Sequence, residues 1–343
     1  MLHYHRYVLS LINFTITPHQ SRFKMIKILV NDGIHPDGQL LLEEANYQVD
    51  TTKIPQEELA ARLPEYDAII VRSATKVRKE LIDQCPNLKV IARGGVGMDN
   101  IDVEYARSKG IKVINTPKAS SQSVAELVIG HLFTLSRFLH RANREMPQEG
   151  ADNFKGLKKQ YAKGVQLRGK TLGIIGFGRI GQEAARLALG MGMKVLAADL
   201  LDRTVRIDLT TPHAAGVAFS VDLQTVNVAH VLAKSDYITI HVPSSDRPVI
   251  GAEEIKQLKK GVFLVNTSRG GTIDEAALVE GLADGTIAGA ALDVFENEPK
   301  PTPAILNHPQ ISVSPHIGAS TVEAQRNIGL ELADAFIEIF GAE

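Results

Sequence analysis

A single cysteine, Cys85, stands in a chain of 343 residues. It excludes an intrachain disulfide and any cysteine-cluster metal centre, it fits a reducing compartment such as the cytoplasm, and it reads as an ordinary buried thiol. No metal is expected. Tryptophan is absent, and no apolar run approaches the roughly 20 residues that a membrane span needs, so no transmembrane helix and no membrane partner are expected. Charge of one sign is missing too, since 38 basic side chains face 39 acidic ones for a formal net charge of -1. No global positive field exists to hold nucleic acid or an anionic bilayer, and neither is expected as a partner, though a local basic site stays open. There is no internal repeat and no low-complexity tract. What is present is the composition of a globular protein, 44% hydrophobic and 22% charged. Its length favours two domains, and two domains imply a cleft.

The first 24 residues contain Arg6, Arg22 and Lys24 and no acidic residue. Such an imbalance occurs in transit peptides. However, Tyr7 to Ile16 is broken by Ser10, Asn13 and Thr15, and no small-residue cleavage site follows, which argues against a secretory signal. Because Met25 directly precedes a convincing first strand, residues 1–24 are expected to be an extension, the product of an upstream start codon or a disordered segment.

From Met25 onwards short apolar runs alternate with segments of helical spacing, the pattern of parallel strands joined by crossover helices. Ile26 to Val30, Ala68 to Val71, Lys89 to Ala92 and Lys112 to Ile114 are the expected strands of a first α/β unit. Ser121 to Arg137 then repeats apolar residues at helical intervals, through Val124, Leu127, Val128, His131, Leu132 and Leu135, and is expected to carry the chain between lobes. The charged stretch Arg141 to Lys170 has glycine interruptions and little apolar periodicity, so it is expected on the surface. A second unit follows, with strands expected at Thr171 to Ile175, Lys194 to Ala198, Tyr237 to His241, Val262 to Val265, Gly289 to Leu292 and Ile311 to Val313. These are apolar on both faces and so predict a sheet covered by helices. The last element, Thr321 to Phe340, has helical periodicity and is expected to pack back onto the first lobe.

Gly176-Phe177-Gly178-Arg179-Ile180-Gly181 follows the strand Thr171 to Ile175 and opens a helix. Asp199 ends the next strand, close to the spacing of about 20 residues that a dinucleotide fingerprint demands. Gly176 permits the tight turn, Gly178 lets backbone approach a pyrophosphate, and Gly181 lets helix and strand pack closely. The helix N-terminus adds free amides and partial positive charge. Asp199 would accept from the adenosine ribose hydroxyls and repel a 2′-phosphate, favouring NAD over NADP. Arg203 nearby weakens that repulsion.

Oxidising a hydroxyl needs a group that takes its proton as hydride leaves, and histidine is best matched to that task near neutral pH. Of 11 histidines, His316 follows the strand Ile311 to Val313 and precedes Gly318, at a strand end where open α/β sheets place their ligands. Glu298, beyond the strand ending at Leu292, could orient the imidazole and favour its protonated form. Arg269 follows the strand Val262 to Val265 and could grip a carboxylate bidentately. Taken singly, each of the three also suits a surface or capping role.

These residues resemble the D-isomer-specific 2-hydroxyacid dehydrogenases over nearly the whole chain from Met25. The resemblance rests on Gly176 to Gly181, on Asn266-Thr267-Ser268-Arg269-Gly270-Gly271, on Ala290 to Pro299, and on Ser314-Pro315-His316-Ile317-Gly318-Ala319-Ser320-Thr321. It implies an α/β fold of two Rossmann-like domains: a discontinuous, flavodoxin-like substrate domain flanking an inserted NAD-binding Rossmann domain. The boundaries expected are 25–118 for the first part of the substrate domain, 119–309 for the NAD-binding domain, and 310–343 for the segment returning to the substrate domain. The resemblance makes Arg269 the substrate-binding arginine, Glu298 the carboxylate partner of the histidine, and His316 the acid/base. It places Asp293 near the nicotinamide, and it carries further NAD contacts to Arg179, Ile180, His241, Pro243, Thr267 and Gly318. The loop Arg93 to Asp102 matches the family's substrate loop, whose amides near Gly95 and Val96 hold the carboxylate. A homodimer joined through the NAD-binding domains is also implied.

Within the family, Val71-Arg72-Ser73-Ala74-Thr75-Lys76-Val77 resembles 3-phosphoglycerate dehydrogenases, which makes the expected partner a small phosphorylated 2-hydroxy acid. Arg72, Ser73, Arg93 and Arg137 are then candidates for its phosphate, because a dianion in a cleft needs charge-assisted donors. Solvated or salt-bridged surface roles for these arginines stay open. Because the sequence stops at Glu343, the appended regulatory domain of longer members, and serine feedback through it, are not expected. The sequence also has Ser244-Ser245-Asp246-Arg247-Pro248 where the family commonly has a threonine-rich loop, which leaves the adenine and ribose contacts open. A glyoxylate/hydroxypyruvate reductase shares fold and triad. An NAD-sensing corepressor of the same fold is disfavoured by the lack of a long disordered extension or basic segment.

Overall fold

Strands β1 (Lys27–Val30), β2 (Gln48–Asp50), β3 (Ala68–Val71), β4 (Val90–Arg93) and β5 (Lys112–Asn115) pair in parallel in the order β2-β1-β3-β4-β5 in a computed structural model that describes residues 25–210 and 218–341. The residues 1–24, expected as an extension, lie outside the described residues. The central strand β3 is buried at all four positions, because helices cover both faces and neither side can be polar. On one face Leu29, Ile69 and Ile91 pack against Leu81 and Ile82 of α3 (Lys79–Asp83) and Ala106 of α4 (Val103–Ser108), with α2 (Leu59–Arg62) alongside. On the other face Ile28, Ile70 and Val90 meet Leu42 of α1 (Pro36–Glu44) and Ile328, Leu332 and Phe336 of the last helix, Val322–Gly341. That helix approaches α1 so closely that a Cβ on Gly38 would lie 2.5 Å from the backbone of Gly329.

The chain leaves the first lobe through α5 (Ser121–Ser136) and α6 (Leu139–Gln160). The second lobe is built from β6 (Thr171–Ile175), α7 (Arg179–Gly190), β7 (Lys194–Ala198), the antiparallel hairpin β8 (Thr204–Thr210) and β9 (Ala218–Gln224), and α8 (Val228–Lys234). It continues with β10 (Tyr237–Ile240), α9 (Ala252–Ile255), β11 (Val262–Asn266), α10 (Glu275–Ala283), β12 (Ile287–Leu292), α11 (Pro303–Leu306) and β13 (Ile311–Val313), before the final helix α12 (Val322–Gly341). Its six-stranded parallel sheet has the order β13-β12-β11-β10-β6-β7. The direction of winding reverses between β6 and β10, and the crevice beyond their carboxyl ends is where open α/β sheets bind ligands.

One expectation needs correction, and several elements were not foreseen. β13 pairs with β12 in the second sheet, so the return to the first lobe starts after Val313 and not at residue 310; only α12 crosses back. The stretch after Arg141 does lie on the surface, yet most of it is helix, with Leu157 its one buried residue in α6. The helix is amphipathic but polar on average, so its few apolar residues are easily passed over. The hairpin and β2 were not expected. β2 is a three-residue edge strand without a fully buried position, too short and polar for an apolar-run criterion. Among the described residues no helix is long and apolar enough to cross a membrane.

Candidate active site

The turn after β6 is shaped by three glycines. Gly176 has φ +93, and a Cβ there would lie 2.5 Å from the carbonyl oxygen of His241. At Gly181 a Cβ would lie 2.3 Å from the Gly176 carbonyl oxygen, whereas Gly178 has nothing within 4 Å and opens outward. Gly178 N-caps α7 without a side-chain hydrogen bond, and Arg179 lies exposed in its first turn. The first amides of α7 are therefore available to a pyrophosphate. Asp199, just past β7, accepts from the Phe177 amide at 2.9 Å and from Arg203 Nη2 at 3.1 Å. Burial alone would raise its carboxyl, but the amides of Leu201 and Phe177 and the Arg203 charge outweigh that and hold it below the usual range. Arg203 Nη2 also donates to the Phe177 carbonyl at 2.9 Å. Cradle, amides and acid together fit a dinucleotide.

The turn faces a cavity of about 370 Å³. Arg93 and Val96 line it from the first lobe, and Ile180, His241, Pro243, Thr267, Arg269, Asp293, His316 and Gly318 from the second. A further cavity of about 370 Å³ is lined by Ser73, Arg93, Arg269, Glu298 and His316. His316, Arg269 and Arg93 border both.

His316 Nδ1 lies 2.9 Å from Glu298 Oε2, while Glu298 Oε1 accepts from the Phe295 amide at 3.0 Å. Burial pushes the Glu298 carboxyl up, but the bond to His316, its charge and the Phe295 amide prevail and hold it below the usual range. Engaging Nδ1 leaves Nε2 for a reacting hydroxyl. His316 itself has φ +55, an uncommon backbone for a side-chain-bearing residue, which must be held from outside. Asp293, fully buried at the end of β12, holds it. Its carboxylate accepts from Ser314 Oγ at 2.6 Å, the Ile317 amide at 2.9 Å and the Gly318 amide at 2.8 Å, bracketing His316 on both sides. Helix α5 supports the same turn, for Ser123 Oγ donates to the Gly318 carbonyl at 2.7 Å and His131 Nε2 lies 3.2 Å from Ser314 Oγ. Burial pushes the His131 pKa down, and with the Ser314 hydroxyl hydrogen given to Asp293 the Ser314 oxygen is free to accept from the ring. His241 is pushed down by burial to about 4.

Arg269, beyond β11, donates from Nε to Asp99 Oδ2 at 2.8 Å and from Nη1 to the Ser268 carbonyl at 2.6 Å. Asp99 Oδ1 also accepts from Ser244 Oγ at 3.0 Å. The Arg93 guanidinium is pushed down to about 10, first by burial and then by the charges of Arg269 and Arg72. Its Nε is buried with no partner. Arg72 borders neither cavity; its aliphatic stem lies behind the loop, near Gly94.

Two of the expected substrate residues are corrected. Arg137 lies exposed just past the C-terminal end of α5 and borders neither cavity. The Gly95 amide does not face substrate but donates to the Arg93 carbonyl at 2.9 Å, and Gly95 instead makes room for Arg93, whose Nη1 lies 1.4 Å from where a Cβ would stand. Of the two loop amides, only that of Val96 belongs to a residue lining the cavity. Sequence reasoning missed Asp99, Ser244, Ser123, Ser314 and His131. A histidine on the apolar face of a helix was the legible signal for the last, since a buried polar group needs a partner.

The family model for the D-isomer specific 2-hydroxyacid dehydrogenase NAD binding domain matches residues 129–318. The chain is 44% identical over 322 residues to a hydroxypyruvate reductase of Thermotoga maritima, covering 92% of this chain and 98% of that one. It is 41% identical over 323 residues to a D-3-phosphoglycerate dehydrogenase of Methanocaldococcus jannaschii, covering 93% of this chain and 58% of that one. The chain thus spans little more than half the length of that relative. Among solved structures, an NADPH-dependent glyoxylate/hydroxypyruvate reductase of Sinorhizobium meliloti superposes with a TM-score of 0.75 at 29% identity, covering 92% of this chain and 94% of that one. Relatives at this identity and coverage, together with the matching NAD-binding domain, place the chain in the D-isomer-specific 2-hydroxyacid dehydrogenase family.

Proposed function

We propose that the enzyme oxidises D-3-phosphoglycerate to 3-phosphohydroxypyruvate with NAD, the first step of a phosphorylated route to serine, as a cytoplasmic homodimer. The observation that carries the choice of substrate is the excess of cations at the cleft. Burial and then the charges of Arg269 and, from behind the loop, Arg72 push the Arg93 guanidinium down to about 10, Asp99 is the acid that pairs with Arg269, and Arg93 Nε is buried without a partner. Guanidiniums held this close call for an anion of more than one charge. A carboxylate on Arg269 and the Val96 amide, with a phosphate toward Arg93 and Ser73, would supply it. Exposed Phe133, Leu139, Met146 and Phe154 on α5, α6 and their junction support an interface through the second lobe.

Bound NAD supplies the hydride acceptor. Arg269 fixes the substrate carboxylate, and His316 Nε2 takes the C2 hydroxyl proton as the hydride leaves. Glu298, held on Nδ1, stabilises the imidazolium that results. The lobes exclude water from the reacting atoms.

A reductase acting on hydroxypyruvate is the second reading, favoured by the Thermotoga relative that matches over nearly its full length. Comparing kcat/KM for 3-phosphohydroxypyruvate, hydroxypyruvate and glyoxylate with NADH decides between them. The phosphorylated acid is expected to lead by about 100-fold, the worth of one or two charge-assisted hydrogen bonds. A lead for hydroxypyruvate would transfer the assignment.

A further inference from the structure

Arg269 sits on the second lobe, yet one of the groups that fixes its plane belongs to the first. Asp99, in the loop after β4, reaches across the cleft to Arg269 Nε at 2.8 Å and to Ser244 Oγ at 3.0 Å. On the other flank Nη1 is held by the Ser268 carbonyl at 2.6 Å. Two of the three guanidinium nitrogens are thus engaged by protein, and among the described residues Nη2 has no hydrogen-bond partner. Nη2 lies over Gly97, only 1.3 Å from where a Cβ would stand, and that Cβ would also come within 2.8 Å of Asp99 Oδ2. Glycine at 97 is what lets the guanidinium and the carboxylate meet on this side of the loop. Asp99 is exposed toward the cleft and engaged by two donors, Arg269 and Ser244. Burial would raise its carboxyl, but the Arg269 charge and hydrogen bond and the Ser244 hydroxyl hold it below the usual range, so it meets the arginine as an anion.

We propose that Asp99 is a positioning residue for carboxylate recognition: from the opposite lobe it sets the plane of Arg269, so that the arginine is aimed at substrate only when the substrate loop has closed upon it. This rests on the reading of Arg269 as the carboxylate-binding group. An arginine pinned on Nε and Nη1 has lost the freedom to turn away, and its remaining hydrogens face the cavities that His316 also borders. Lobe closure and substrate recognition then become one event, because the first lobe contributes the orientation and the second the charge. The competing possibility is that Asp99 merely occupies the arginine in place of substrate and must be displaced. The two predict opposite signs. Losing a positioning group weakens substrate binding, and losing a competitor strengthens it.

The test uses the full-length enzyme and the variants Asp99→Ala, Asp99→Asn and Arg269→Ala. KM and kcat are measured with hydroxypyruvate and with 3-phosphohydroxypyruvate, and the Kd for NADH by its fluorescence. Asp99→Ala is expected to raise KM for both keto acids about tenfold or more, the size of one lost hydrogen bond to a charged group, with NADH Kd unchanged. Asp99→Asn keeps an acceptor for Nε and is expected to recover a good part of that loss, which a merely structural role would not produce. It also serves if the alanine variant does not fold. A KM that falls or stays level in Asp99→Ala overturns the proposal, as does an asparagine variant no better than alanine. If Arg269→Ala raises KM and Asp99→Ala does not, only this inference fails; if neither raises it, the reading of Arg269 fails as well.

Discussion

His316 carries a histidine ring on a backbone of φ +55, and its chemistry depends on groups on both sides of that turn. Glu298 fixes the ring and Asp293 fixes the chain. Glu298→Gln removes the anion that stabilises the imidazolium while leaving an acceptor for Nδ1, so kcat is expected to fall by about 10-fold to 100-fold with the NADH Kd unchanged. Steady-state kinetics beside NADH fluorescence titration check this, and an undiminished kcat would remove Glu298 from the chemistry. His241 offers a prediction on stability. Its pKa drops from 6.5 to about 4 in the folded chain, so between those values the unfolded state binds a proton that the native state refuses. Stability is unaffected by this group above the upper value and is lost progressively as pH falls toward the lower one. In thermal melts from about pH 7 to about pH 4.5, His241→Gln is expected to lose Tm more gradually than wild type. Parallel acid limbs would mean that His241 titrates as it does in the unfolded chain. Arg269, Glu298 and His316 were legible in the sequence because each follows a strand end, where such folds collect their chemistry. Asp99 was not, since its partner lies 170 residues away on another lobe and no local pattern encodes that meeting.

At the scale of elements, α5 does more than connect the lobes. Ser123 and His131 reach the two sides of the catalytic turn from one helix, so the helix acts as a splint for a strained loop. Ser314→Ala removes the hydroxyl that joins His131 to Asp293 and is expected to lower kcat about tenfold and stability by about 1 kcal/mol, with Ser314→Thr restoring both. Urea unfolding and kinetics measure the two effects, and an alanine variant matching wild type in kcat would show the turn to be self-supporting. The both-face-apolar strands of the two sheets were readable because burial on two sides demands continuous apolar residues. The hairpin was readable as well, though by another rule. Val205, Ile207 and Leu209 alternate with polar residues, as do Phe219, Val221 and Leu223, the mark of a half-buried strand that a search for apolar runs passes over. Helix α6 was the harder case. Only Leu157 of it is buried against this chain, and its few apolar residues are scattered among charged ones.

For the molecule as a whole, the return of α12 to the first lobe ties the two ends of the described chain into one core and leaves the second lobe as an insertion. The close passage at Gly38 and Gly329 makes this seam intolerant of side chains, because a Cβ at Gly38 meets backbone at 2.5 Å. Gly38→Val is therefore expected to cost about 2 kcal/mol or more in urea unfolding, while the turnover of the molecules that remain folded changes little. A cleft built between such lobes can bring an imidazole, a carboxylate and a guanidinium from three strand ends to one substrate. The most direct test is the rate of NADH formation from D-3-phosphoglycerate by the wild type and by His316→Asn, with the NADH Kd measured alongside. The account predicts turnover by the wild type and a loss of about 10² to 10⁴ in kcat for the variant at unchanged NADH affinity. Equal turnover by the two would contradict it.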